Sequence, residues 1–497
     1  MKKHSILFYF FFLFGSLHIY SQVAVFTENC EQAYYHILSL QFQEAEYLLD
    51  KEEQLHEDNV YVPYLRNYID FISLFVSQDK ILYEKLDANK SDKFYLISQL
   101  NDTCRYKKLM LGNMHLQWSL TKITLGDFFS AAIEFNNAYK LIEDNTNEFP
   151  DFKLNLLSQG ILHIIVGLVP DKYRWIMSLF SMEGEIKQGK EELSEFLMIT
   201  KEETQYSHLY YETLFYSGFI EININPDKHK INYLLDETSL IDDSVLLVTF
   251  LKINLLMRSG ENDKALKLLE DIDWVNTKTY PFYYLEYLFG ECLLRAQKWN
   301  SSIEKYDLFT QNFKGENYNK DAWRKKAWAA FLQSDTSLFL DYLERVKLYG
   351  TTNIGIDKEA LQESQSMHFP NKDLLIARIL FDGGYYTHAL DVLNSTDTTN
   401  YSLVEKVDYV YRKARIYNCM EDYLKAKEFY SDAIEKGKVL DSYCAANAAL
   451  KLGAIYEMEG NIPLAKKNYS VCLELNFEQY KNSIKRRAQE GLKRVSD

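Results

Sequence analysis

Proline and glycine are scarce in this chain, at 7 and 19 of 497 residues, while 47% of positions are hydrophobic and 26% are charged. That balance excludes a disordered or low-complexity protein. Cysteine is scarcer still. The six thiols (Cys30, Cys104, Cys292, Cys419, Cys444 and Cys472) are too few for a disulfide-dense scaffold, although an oxidising compartment would permit one or two bonds. No Cys-x-x-Cys pair occurs, which removes thioredoxin-type redox chemistry and a zinc site of that kind. Positive charge is in deficit as well: the formal net charge is −15 and the pI near 5.3. A nucleic-acid binder needs the opposite, a basic footprint for the phosphate backbone. The acids are spread along the chain, as the solvated faces of helices would be.

Catalytic constellations are missing too. The ten histidines are dispersed, with no His-Glu-x-x-His and no pair at helical i, i+4 spacing. His115 and His163 fall on apolar helical faces, where a core or boundary role is expected. No Gly-x-Ser-x-Gly elbow occurs, and acidic pairs such as Asp242-Asp243 have no strands to aim them into a cleft. The run Gly184-Glu-Ile-Lys-Gln-Gly189-Lys190 nearly spells a phosphate-binding P-loop. Glu191 stands where the Ser or Thr should hold magnesium, and the preceding run is helical rather than a strand. The expectation is a non-enzyme with no cofactor and no metal.

The N-terminal segment Met1–Gln22 differs from the rest. Lys2 and Lys3 precede an uncharged apolar run from Ile6 to Tyr20, then Ser21 and Gln22. A basic start and an apolar core of about 15 residues fit a cleaved secretory signal better than a permanent membrane helix. Its end, Ile19-Tyr-Ser-Gln22, resembles the export signals of Bacteroidetes-type bacteria, which implies a periplasmic, cell-surface or secreted protein. No lipobox precedes Cys30, and no other apolar stretch is long enough to cross a bilayer, so no membrane span is expected after cleavage.

What the chain has in quantity is a repeated spacing. A residue at a tight inter-helix contact, position i, is followed at i+12 by a small or apolar one, at i+16 by an aromatic or Leu, and at i+19 by another apolar one. The clearest copies are Gly453, Ala465, Tyr469, Cys472 and Ala414, Ala426, Tyr430, Ala433. Looser ones start at Ala377, Ala327, Gly290 and Ile253, and weak ones upstream at Ser119 and Ala33. From Ile253 onward the steps between starts are 37, 37, 50, 37 and 39. Self-similarity at that period predicts stacked helical hairpins. The seven prolines each open an apolar-periodic run and none interrupts one, as helix starts demand. Alternating β-branched runs are scarce, so no sheet is expected. The one long step, between Ala327 and Ala377, predicts a long loop over Tyr349–Phe369. The divisions expected are a signal at 1–22, degenerate repeats at 23–148, an irregular helical block at 149–245, the main array at 246–478 and a polar capping helix at 479–497.

Leu452-Gly453-x-x-Tyr456 with Ala465 and Tyr469, and Ala414-x-x-Tyr417 with Ala426, Tyr430 and Ala433, resemble the tetratricopeptide repeat (TPR) family, though the family's Trp and terminal Pro are missing. The segment from Gly167 to Leu193 is also similar to an element of TPR proteins of the inclusion-body-clearance type. The resemblance implies an all-α, TPR-like α-solenoid, a superhelix of antiparallel hairpins whose first helices line a groove for a protein or peptide partner. Its groove positions fall on Leu247, Phe250, Asn254 and Met257, on Tyr284, Tyr287, Glu291 and Leu294, and then on a polar cluster of Arg378, Tyr411, Arg415, Asn418 and Asn447. Arginine forks there would grip a peptide carboxylate or backbone amides. The Lys and Asn pattern of chaperone-binding TPR clamps is absent. The function expected is an extracytoplasmic scaffold. The alternative is a nutrient- or glycan-binding part of an outer-membrane uptake system, using exposed Tyr and Trp for sugar stacking.

Overall fold

A small side chain at the start of each copy lets two helices approach closely, and the structure shows the consequence. It is a computed structural model and describes residues 22–169, 182–224, 226–275, 278–366 and 369–496. The N-terminal apolar run, Pro170 and most of the apolar stretch Tyr173–Met182 lie outside the described residues. Among the described residues the fold is all-helical, with no strand and one isolated bridge, Val23 with Asn59. Consecutive helices pair as hairpins, including Arg105–Leu125 with Phe128–Glu148, Leu403–Cys419 with Tyr423–Gly437, and Tyr443–Met458 with Ile462–Glu474. The chain is a TPR-like α-solenoid.

The spacing rule maps onto the core. Ala414, Ala426, Tyr430 and Ala433 are all 0% exposed, as are Ala465 and Cys472. A Cβ on Gly453 would stand 2.8 Å from the Tyr469 ring, and one on Gly290 would stand 2.8 Å from Tyr306. The aromatic at i+16 therefore rests on the first residue of its own hairpin. Tyr469 also lies against Gly491 of the following helix, so its ring fills the space toward the next element. At i+12 the backbones are close enough for side-chain bridging: Ser302 Oγ donates to the Gly290 carbonyl at 2.9 Å, and Ser119 Oγ to that of Ala131 at 2.9 Å.

A further regularity sits at i+7. Leu40, Gly126, Gly260, Gln297, Ser334, Gly384, Glu421 and Gly460 all have φ between 57° and 85°, the left-handed region. Each is the corner between the two helices of a hairpin, where a left-handed residue ends the first helix. The next residue starts the second helix, and Asp127, Asp335, Asp422 and Asn461 cap it by accepting a backbone N–H. The shared corner places the weak copies at Ala33 and Ser119 in the same series as the clear ones.

Two compact units form. One comprises the described residues up to Phe75 with Ile81–Thr213; the other comprises Val76–Lys80 and the chain from Leu214 onward. In the first unit, helices Asn155–Leu168 and Ile186–Glu202 touch backbone to backbone. Gly189 lies against the Gly160 carbonyl, and Gly167 against the Ile186 nitrogen. The glycines of the near-P-loop and of the Gly160–Gly167 pair are thus helix-packing residues. Pro63 lies in the first turn of helix Tyr61–Ser77, and Pro463 in that of Ile462–Glu474.

One expectation fails in the second unit. Tyr349–Phe369 is not a long loop, because it contains helix Gly355–Ser366. That helix has few apolar residues, yet it buries Ala360 and Asp357 completely. The Asp357 carboxylate accepts N–H bonds from Tyr318 (2.7 Å) and Asp321 (3.0 Å), so it satisfies the N-terminus of helix Asn319–Leu332. Burial pushes its carboxyl up to about 6, despite those two donors. The C-terminal helix Lys481–Arg494 packs Ile484 and Ala488 into the last core cluster, and Arg494 grips Glu457 through Nε at 2.8 Å and Nη2 at 3.0 Å.

Candidate functional site

The expected groove positions of the second unit lie on the first helix of each hairpin, and their burial differs along the chain. Most of the earlier ones are filled, while Asn254, Met257 and Tyr284 are half-buried. Leu247 (1%), Phe250 (4%), Tyr287 (3%), Glu291 (6%) and Leu294 (1%) are core residues, contrary to the groove role expected for them. The reason is a contact between distant hairpins. Gly384 lies directly on the Gly260 carbonyl, and Asn262 Nδ2 donates to the Tyr385 hydroxyl at 3.1 Å. Tyr385 in turn donates to Asp263 at 2.5 Å. The enclosed Glu291 carboxylate is paired: it accepts from Tyr306, Lys325 and Arg295. Burial favours the neutral acid, but Lys325 and Arg295 outweigh it and hold the Glu291 carboxyl below its usual range.

Helix Asn319–Leu332 has no solvent-facing charged stripe in its middle turns. Lys320, Asp321, Arg324, Lys325 and Lys326 are all buried. Arg324 pairs with Asp321 and Lys326 with Asp307, while Trp328 lies under Arg324, Lys325 and Arg378 at 5.0, 4.6 and 4.7 Å. Charges this deep are stable because they meet a carboxylate, a ring face or, for Lys320, the Val346 carbonyl at 2.8 Å.

The five polar residues expected as a cluster lie on one face of the later first helices, four of them half-buried and Tyr411 buried. Tyr411 is 1% exposed, so its ring belongs to the core, and its hydroxyl accepts from Asn447 Nδ2 at 2.5 Å. Arg415 is half-buried, with its guanidinium 4.1 Å from the Phe381 ring centre and 5.7 Å from that of Tyr411. Arg378 is half-buried on Trp328. Asn418 lies one turn beyond Arg415, also half-buried, with its carbonyl engaged at the hairpin corner by Glu421 N–H. Tyr443 stands edge-on to Tyr411 at 6.0 Å, closing the aromatic floor between the helices. Arg378, Arg415, Asn418 and Asn447 thus present polar groups above a ring-lined floor that Tyr411 helps to make.

Three further cations share this face and were not anticipated as groove residues: Arg258, Lys451 and Arg487. Arg487 belongs to a C-terminal basic stretch that is conspicuous in the sequence. Arg258 and Lys451 carry no local signal, since helices far apart in the chain bring them together. Burial, then Arg487 and Arg415, push the Lys451 ammonium down to about 8.

A separate hollow of about 450 Å³ lies between helices Trp299–Asn312, Asn319–Leu332 and Thr336–Leu348, with Trp323, Tyr342 and Tyr349 in its wall. Sugar stacking needs a free ring face. Here Tyr349 stacks on Trp323 at 5.7 Å and Lys326 lies 3.7 Å over the same ring. Among the described residues no group of His, Cys, Asp and Glu could hold a metal ion, and no two of the six cysteines are bonded.

No protein-family model and no curated protein matches the chain. Among solved structures it is similar to the Cut9–Hcn1 hetero-tetramer of the APC/C, at 13% identity and TM-score 0.28, covering 94% of this chain and 95% of that one. It is similar to the TPR domain of P58(IPK), at 16% identity and TM-score 0.21, covering 78% and 99%. Yeast Tom70 matches at 13% identity and TM-score 0.23, covering 93% and 96%. Superpositions this loose leave the fold assignment resting on the chain's own hairpin geometry.

Proposed function

We propose that the protein is a non-catalytic scaffold that seats a segment of a protein partner on the face around Arg378, Arg415, Asn418 and Asn447. One observation carries the reading. Arg378, Arg415, Asn418 and Asn447 stand half-exposed above an apolar, ring-lined floor, the composition that anchors a peptide. The two guanidiniums are already oriented by Trp328 and Phe381, so little side-chain freedom is lost when a carboxylate or carbonyl docks. Replacing both by alanine, Arg378→Ala with Arg415→Ala, is expected to abolish recovery of the partner in a crosslinking pull-down from envelope extracts. Unchanged recovery would remove the proposal. In the Trp323 hollow, Tyr349 and Lys326 cover the Trp323 ring, which leaves the glycan alternative without that platform.

The basic, then apolar, N-terminal run supports export as the place of action, to the periplasm or cell surface. Mass spectrometry of the mature protein is expected to find a new terminus near Gln22; an intact Met1 would sink this assignment.

A further inference from the structure

Cations in this chain normally find acids. Lys90 and Lys122 both reach Glu134 at 2.8 Å, and Lys325 reaches Glu291 at 3.2 Å. With 71 acidic against 56 basic residues, that is the expected state. Four cations on the inner face break the pattern. Arg258 ends helix Leu246–Ser259, Arg415 lies in Leu403–Cys419, Lys451 in Tyr443–Met458 and Arg487 in Lys481–Arg494.

Packing sets the four in two pairs, Arg258 with Arg415 and Lys451 with Arg487. Gly260, two residues after Arg258, is seated on Gly384, and Arg415 rests on Phe381, three residues before Gly384. Helix Lys481–Arg494 is fixed along Tyr443–Met458 by Ile484 and Ala488 in one core with Ala446 and Leu450. Arg415 and Arg487 both lie in the field of Arg258 and of Lys451. Arg258, Lys451 and Arg487 make no side-chain hydrogen bond and no ion pair among the described residues. Asp382 acts on Arg415 at longer range and is shared with Arg295. Near Arg415, the Tyr430 hydroxyl is completely buried and has no hydrogen-bond partner. A buried donor with no acceptor costs free energy, as do like charges held close together with Arg415, Lys451 and Arg487 half-buried and Arg258 exposed beside them. A bound anion would relieve both.

We infer that Arg258, Arg415, Lys451 and Arg487 form a binding site for a multivalent oxyanion of the phosphate class, with the Tyr430 hydroxyl as an added donor. A carboxylate offers one charge to four cations. A phosphate group offers about −1.5 to −2 near pH 7 and three acceptor oxygens, and guanidinium forks bind it bidentately. The site needs no protein partner, so it stands or falls apart from the scaffold reading.

The test is calorimetric titration of the full chain with inorganic phosphate and with pyrophosphate at constant ionic strength, paired with thermal melts. Both anions are expected to bind, pyrophosphate more tightly, and to raise Tm. The double variant Arg258→Gln with Arg487→Gln should keep its helical circular dichroism, melt at or above the parent without anion, and bind at least tenfold more weakly. Lys451→Met provides the same readout should the double variant fail to fold. Arg345→Gln, in the Trp323 hollow, should bind as the parent does. Silence toward both anions overturns the inference, as does equal weakening in Arg345→Gln, which would mean diffuse charge. Binding of a glutamate-rich peptide without phosphate would overturn it too, assigning the face to an acidic segment.

Discussion

A left-handed corner costs a residue with a Cβ roughly 1–2 kcal/mol, a cost that glycine escapes. Gly126, Gly260, Gly384 and Gly460 meet that demand, whereas Leu40, Gln297, Ser334 and Glu421 carry the strain. Gln297 is exposed and its side chain makes no hydrogen bond among the described residues, so Gln297→Gly should raise stability by about 0.5–1 kcal/mol, net of the extra freedom of the unfolded chain. Urea denaturation measures this, and a lower midpoint would contradict it. The opposite sign is expected at Gly453, where an added methyl meets the Tyr469 ring at 2.8 Å and that ring is already backed by Gly491. Gly453→Ala should therefore cost about 1–3 kcal/mol by overpacking, seen as a lower midpoint at unchanged slope. The two outcomes separate conformational strain from contact strain within a single repeat motif.

At the scale of elements, the spacing of small and aromatic residues made the hairpins legible, because the same residues that set the period also form the contact. Helix Gly355–Ser366 was not legible. Its turns are mostly polar, and the burial of Asp357 depends on N–H groups far upstream, at Asp321 and Tyr318. No local window contains that relation. Three of the five buried charges of Asn319–Leu332 were hidden for the same reason: Arg324, Lys325 and Lys326 find Glu363, Glu291 and Asp307 on other helices. Arg378, Arg415, Asn418 and Asn447 fall half-buried on the later helices. The earlier positions Leu247, Phe250, Tyr287, Glu291 and Leu294 were misread as groove residues, since the Gly260–Gly384 contact joins hairpins more than a hundred residues apart. The role of Asp357 yields a direct prediction. Asp357→Ala strands two buried N–H donors, so the loss should be about 2–4 kcal/mol. Hydrogen exchange of the Tyr318 and Asp321 amides should accelerate in that variant, and unchanged protection would refute the capping role.

Across the whole molecule, the net charge of −15 and the inner-face cations pull in opposite directions as pH changes. Raising pH adds negative charge throughout, a destabilising trend that any single-residue variant shares with the parent. Lys451 behaves differently. Burial lowers its pKa, and Arg487, Arg415 and Arg258 lower it further, while the Cys419 thiol opposes them; the folded value is about 8 against 10.5 for the free side chain. Between those values the unfolded chain holds a proton that the folded chain has released, so the contribution of Lys451 to stability rises with pH. Below about 8 the lysine is charged in both states and the full repulsion is felt. Lys451→Met should therefore melt above the parent at pH 7, by about 1–2 °C for a gain on the order of 1 kcal/mol. The gap should hold at pH 6, narrow through pH 9 and close near pH 10. Because both proteins share the acidic background, the difference in Tm isolates the lysine, and a gap independent of pH would show that the methionine gains through packing instead of through removal of charge.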